Sequence, residues 1–197
     1  NWAVDCGILL YRSHNNIITD IKATSNNFGI WLEYSNGNTI SNNIVSNNDD
    51  FGIRLGYSHQ TIVQNNIVYG SKLDEGDGIS HNGGDYVHIT DNVVYSNSRN
   101  GIWVSYATEV LVENNTIHNN NGMGILMDWG LRNSVIKNNI IYSNLWGVHT
   151  HAWYLSDDII ENNNIHSNAH GGIAIGDGVY RFTIRNLSLI HISEPTR

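Results

Sequence analysis

The sequence predicts an all-β solenoid, a right-handed parallel β-helix of about eight coils with three short strands each. Three observations carry that expectation. Gly-Ile or Gly-Val dipeptides recur at Gly7, Gly29, Gly52, Gly78, Gly101, Gly124, Gly147 and Gly172, in steps of 22, 23, 26, 23, 23, 23 and 25 residues. Apolar side chains after each glycine alternate with polar ones, the period of a half-buried strand. Asn-Asn pairs return once per period: Asn42-Asn43, Asn65-Asn66, Asn114-Asn115, Asn138-Asn139 and Asn162-Asn163, with Asp91-Asn92 in the fourth coil. A period near 23 is too short for a helix-pair repeat, and leucine-rich repeats need a regular Leu framework missing here.

Each coil reads alike. After the glycine, Ile30 and Leu32 point inward while Trp31 and Glu33 point outward. A second strand carries Ile40, Val63, Ile89, Val112 and Ile136. A third carries Ile44-Val45, Ile67-Val68, Val93-Val94 and Ile140-Ile141. Right-handed connection is the default for parallel strands. Stacked about 4.8 Å apart, eight coils give a rod of about 35–40 Å. The asparagines, including Asn48, Asn97, Asn120, Asn144 and Asn168, suit turns, since Asn tolerates the left-handed conformation and stacked amides can bond to each other.

Bulk composition sets limits. The 197 residues carry a formal charge of -8, which argues against nucleic acid as a partner, since phosphate contacts need clustered Lys and Arg. Cys6 is the single cysteine, so no disulfide framework is expected. No run of about 18 apolar residues exists to span a membrane. Residues 1–186 read as one β-helix domain whose caps are missing, so end-to-end self-association of the open sheet edges is expected. Leu187–Arg197, LSLIHISEPTR, departs from the repeat and resembles a translated sequencing-adapter read-through, a non-native tail.

The pattern N-x-I-x-x-N-N-x-I…N…G-I-x-L resembles the right-handed parallel β-helix repeat superfamily, with its pectate-lyase-like and NosD-like members. The resemblance covers about residues 7–186, and it implies an exported protein, secreted, cell-surface or periplasmic, that meets polysaccharides. The Asp-Pro-His-Asp of uronan epimerases and a full set of polygalacturonase aspartates are missing, so no catalytic residue carries over by motif.

Candidate chemistry therefore lies in outward departures from the ladder. Trp31, Glu33 and Trp103 point outward from the Gly-Ile strand, and just beyond it Tyr34, Tyr57, Tyr106 and Trp129 make a near-continuous aromatic column, with Trp153 close to the next place in it. Flat rings stack on pyranose faces and polar tips bond hydroxyls, so these are the candidate substrate-binding residues, unless the rings only stack on each other. Asp128, His149 and His151 are the sharpest cluster, with Asp128 and His151 expected in one column on adjacent coils. They read as a general acid/base group, with a metal site or a surface ion pair as alternatives. A carboxylate there is expected to raise the histidine's pKa.

Arg54, with Lys72 as an alternative, is the candidate partner for a uronate carboxylate. Glu33 and Asp128 lie about four coils apart, too far for the paired carboxylates of a hydrolase. Asp74, Glu75 and Asp77, in the insertion that lengthens the third step, are candidate calcium ligands. His81 falls where other coils place Leu or Val and is expected to be a satisfied core histidine. The expected function is binding, with cleavage or epimerisation, of an extracellular acidic polysaccharide; the alternative is a non-catalytic adhesin or a NosD-like accessory protein.

Overall fold

Short strands of alternating pattern, punctuated by residues that accept positive φ, leave the chain one economical course: a flat-sided coil that repeats. The computed structural model describes residues 5–74, 76–151 and 154–190. Among these the strands form three eight-stranded parallel sheets and one two-stranded pair. Each coil contributes one strand to each large sheet. The Gly-Ile sheet runs from Cys6–Tyr11 through Ile102–Ser105 to Gly171–Ile175, the second sheet from Ile17–Thr19 to Thr183–Arg185, and the third from Lys22–Thr24 to Ser188–Ile190. The third sheet thus passes the boundary expected at residue 186. Residues 191–197 lie outside the described residues.

Register keeps equivalent residues in columns. Ile79 pairs with Ile53 and Ile102, and Val94 with Val68 and Ile117. Ile30, Leu32, Ile40 and Val45 from one coil fill the interior with no exposed surface, and the same positions do so in the next coils. Each such side chain contributes about 1.5–3 kcal/mol relative to exposure.

The Asn-Asn pairs divide their labour. Asn42, Asn65, Asp91, Asn114, Asn138 and Asn162 all adopt φ of 55–57°, the left-handed turn. The second residue of each pair is buried instead. Asn43, Asn66, Asn92, Asn115 and Asn139 each donate Nδ2 to the Oδ1 of the next asparagine in the series, ending at Asn163, at 2.9–3.0 Å. A second series joins Asn97, Asn120, Asn144 and Asn168.

The recurrent glycine is needed for space rather than for its dihedral. A Cβ on Gly101 would stand 2.4 Å from Ile117 Cγ2 and 2.7 Å from the carbonyl oxygen of Gly124. The wall between the third and Gly-Ile sheets is too close to the next coil to hold a methyl group. No described helix is long and apolar enough to cross a membrane.

Candidate functional site

The outer face of the Gly-Ile sheet carries most of the expected site residues, in register. Arg54, Ser80, Trp103, Leu126 and His149 form one outward column. Its small members are not accessible as alternation alone predicts. Ser80 and Leu126 are buried although they point outward, because Arg54, Trp103 and His149 occupy the neighbouring rungs, and Ser105 and Asp128 are buried in the next outward column.

Asp128 and His151 pair across adjacent strands as expected, with Oδ1 3.6 Å from Nδ1. The carboxylate is nearly covered and also accepts from Trp129 N at 3.1 Å, while the His151 ring is largely exposed. His149 stacks near His151, ring centroids 6.1 Å apart, and lies 6.3 Å from the Trp146 ring, which meets His170 edge-on. Burial, then the neighbouring His151, holds His149 below the usual imidazole range; the attraction of Asp128 is outweighed. His149 Nδ1 is buried without a hydrogen-bond partner among the described residues, so Nε2 is the nitrogen that can meet a ligand.

The aromatic column is two stacks rather than one platform. Tyr34 and Tyr57 stack at 5.3 Å, Tyr106 and Trp129 at 6.4 Å, with Gly83 between them. The Tyr57 ring leans over Gly83, where a Cβ would stand 2.8 Å from Cδ1. Faces turned to each other are closed to a sugar, leaving ring edges and end faces for contact. Trp31 packs on Phe28 at 4.8 Å and donates Nε1 to Glu33 Oε2 at 3.0 Å, which commits Glu33 to positioning the indole. The Trp103 ring lies under the Arg99 guanidinium, and its Nε1 is buried without a hydrogen-bond partner among the described residues. Trp153 lies outside the described residues.

Arg54 stands over the Phe51 and Trp31 rings at 4.7 and 6.0 Å. It occupies the third coil and His149 the seventh, four rungs or about 19 Å apart. One sugar residue cannot span that distance. Lys72 is paired with Asp49 at 2.9 Å.

The acidic insertion is split. Asp74 is exposed, Glu75 lies outside the described residues, and Asp77 is buried. Asp77 Oδ1 accepts from Asn100 N and Nδ2 at 3.0 and 2.8 Å, so it acts as one rung of an amide ladder. Burial pushes its carboxyl up to about 7, outweighing the Arg99 guanidinium 3.9 Å away. Among the described residues no three His, Cys, Asp or Glu side chains gather as a metal site would need.

His81 is in the core, as expected, but only half satisfied. Nε2 donates to Gly84 O at 2.9 Å while Nδ1 has no partner among the described residues, and burial lowers the ring to about pKa 4. The ladder of Tyr69, Tyr95, His118, Tyr142 and His166 stacks at 4.8–5.1 Å on the third sheet and is packing. Sequence reading missed Phe28, Phe51, Arg99 and Trp146 at the starts of the Gly-Ile strands; the aromatic residues immediately before Gly29, Gly52 and Gly147 were the available signal.

Known structures share this architecture. A double mutant of the periplasmic alginate epimerase AlgG is 21% identical with a TM-score of 0.69, over 90% of this chain and 50% of that one. The Dettilon tailspike protein is 18% identical with a TM-score of 0.75, over 87% and 40%. The Azotobacter vinelandii mannuronan C-5 epimerase AlgE4 A-module is 19% identical with a TM-score of 0.69, over 95% and 57%. The chain spans about half the length of these proteins, and the likeness establishes the fold. No curated protein matches it in sequence. The sequence pattern of one family, described as periplasmic copper-binding protein (NosD), matches residues 2–144 and again 70–190, nearly the whole solenoid. The repeat that builds the coils is that family's repeat, and the chain belongs to the NosD family.

Proposed function

We propose that this chain binds an acidic polysaccharide of the periplasm or cell exterior along its Gly-Ile sheet, and moves a proton on it at His149 and His151. The observation that carries the reading is the Asp128–His151 contact with His149 beside it, on a face with Trp129 and Trp146. The polysaccharide-acting neighbours of the same fold support the substrate class.

In this reading His149, neutral near pH 7, accepts the C5 proton of a uronate through Nε2. The C5–H electron pair is delocalised toward the carboxyl group. In an epimerase, His151 returns a proton to the opposite face; in a lyase, the C4–O bond breaks, a C4=C5 double bond forms, and His151 protonates the leaving oxygen. Asp128 holds His151 in place.

The family's description names copper. Copper needs converging imidazole, thiolate or thioether donors. Among the described residues Cys6 stands in the first strand, Met127 is enclosed in the core, and no three candidate ligands gather. These residues do not fit a copper centre.

A second reading, a non-catalytic accessory protein, is favoured by the separation of Arg54 from His149. Incubating the protein with oligomannuronate and polygalacturonate in heavy water separates the two. Deuterium at C5, or absorbance of the unsaturated uronate, supports proton transfer. Retained binding with neither signal leaves the accessory reading, and no binding to either glycan removes the proposal.

A further inference from the structure

The turn that follows the Gly-Ile sheet has its own column. Thr108, Arg132 and Ser156 pair through parallel bridges, and Ser156 pairs with Tyr180. Two adjoining open clefts lie along it. One, of about 350 Å³, is lined by Asp85, Tyr106, Thr108, Arg132 and Tyr154 among others. The next, of about 380 Å³, shares Arg132 and Tyr154 and continues to Tyr180 and Arg181.

Most cations of this acidic chain are engaged. Lys72, Arg99, Lys137, Arg181 and Arg185 face carboxylates, and Arg12 and Arg54 lie over rings. Arg181 grips Asp157 with Nε and Nη2, both at 2.6 Å, so that pair is neutral as a unit. Asp85 is held by Thr108 N at 2.8 Å and faces His59 at 3.6 Å. Arg132 is exposed and has neither a carboxylate nor a ring partner among the described residues. It stands between Tyr106 and Tyr154, which are 55% and 63% exposed respectively.

We infer that the clefts around Arg132 form an anionic-sugar subsite, separate from the His149 face, in which the guanidinium takes the carboxylate of a uronate residue. A planar fork of N–H donors matches a carboxylate in two parallel hydrogen bonds. The tyrosine rings and the Thr108 and Ser156 hydroxyls offer what the rest of a pyranose needs, apolar edges and partners for its hydroxyls. Two joined clefts along the rod axis suit successive sugars of a chain rather than a single small anion. This rests on the glycan reading above and adds to it a charge-reading residue.

The test is calorimetric titration of the purified chain with tetragalacturonate, its fully methyl-esterified neutral form, and a sulfated tetrasaccharide. The wild type is expected to bind the acid about tenfold tighter than the ester at low salt, with the margin shrinking as salt rises. Arg132→Gln should bind acid and ester alike, and Arg132→Lys should keep part of the preference, having charge without the fork. An undiminished preference in Arg132→Gln overturns the inference while leaving the glycan reading intact. A wild type that favours the sulfated chain, with the preference lost in Arg132→Gln, overturns the carboxylate assignment. Failure of the wild type to bind any of the three overturns both.

Discussion

Asp128 Oδ1 lies 3.6 Å from His151 Nδ1 across two adjacent strands of the Gly-Ile sheet, the carboxylate nearly covered and the imidazole open to solvent. In the proposed reading the buried member positions the ring and the exposed member exchanges protons. His149→Ala should lower C5 proton exchange on a bound uronate by about 100-fold or more, with little change in binding. Because His149 is held below its ordinary range, the acid limb of kcat/KM should fall below about pH 6.5. An acid limb above that value, or unchanged exchange in His149→Ala, would take the base role away from it.

His81 stays neutral in the folded chain down to about pH 4, while the unfolded chain takes up a proton near 6.5. Stability is therefore lost as pH falls from about 6.5 toward 4. His81→Leu restores the aliphatic column of Leu55 and Val104 and removes this loss. Its melting temperature relative to wild type should be higher at pH 5 than at pH 7.5. The same difference at both pH values would show that His81 does not titrate on unfolding.

Asp77 has the opposite sign. Its folded carboxyl titrates near 7, against an ordinary 3.8, so the folded state keeps a proton that the unfolded state has released. Stability is lost as pH rises from about 4 through 7. Asp77→Asn keeps the acceptor for Asn100, so denaturant unfolding should find it close to wild type at pH 4.5. At pH 8 it should be more stable by about 1–3 kcal/mol, less what the Arg99 contact returned. A variant less stable than wild type at pH 8 would mean the ion pair outweighs burial.

Asn114 and Asn115 are neighbours with unequal duties. Asn115 Oδ1 accepts from Asn92 N and Nδ2, and its Nδ2 lies within bonding distance of Ile89 O, Glu113 O and Asn139 Oδ1. Asn115→Ala should cost about 3 kcal/mol or more, since it strands several buried partners. Asn114 is exposed at φ 57°, and Asn114→Gly should stay within about 0.5 kcal/mol. Equal costs in chemical denaturation would contradict the division of labour.

The interior was legible because its chemistry repeats: Ile30, Ile53 and Ile79 announce one column, and Asn66, Asn92 and Asn115 another. The Asp128–His151 register followed from counting alone. Outward burial did not, because whether Ser80 is covered depends on Arg54 and Trp103, residues distant in sequence that register makes adjacent. Asp77 looked like a loop acid until its place beside Asn100 put it inside a ladder. Arg132 escaped notice because its column lies in a turn, where no alternation marks it.

The amides from Asn43 to Asn163 point the same way: Asn43 through Asn139 each give a hydrogen to the asparagine of the following coil, and Asn66 through Asn163 each receive one from the coil before. Turning one amide over would set oxygen against oxygen on one side and N–H against N–H on the other. Orientation is therefore inherited from coil to coil, and the rod has a grain. The orientation of each amide is set by the one it meets, so a coil with its amide reversed finds no partner in the series.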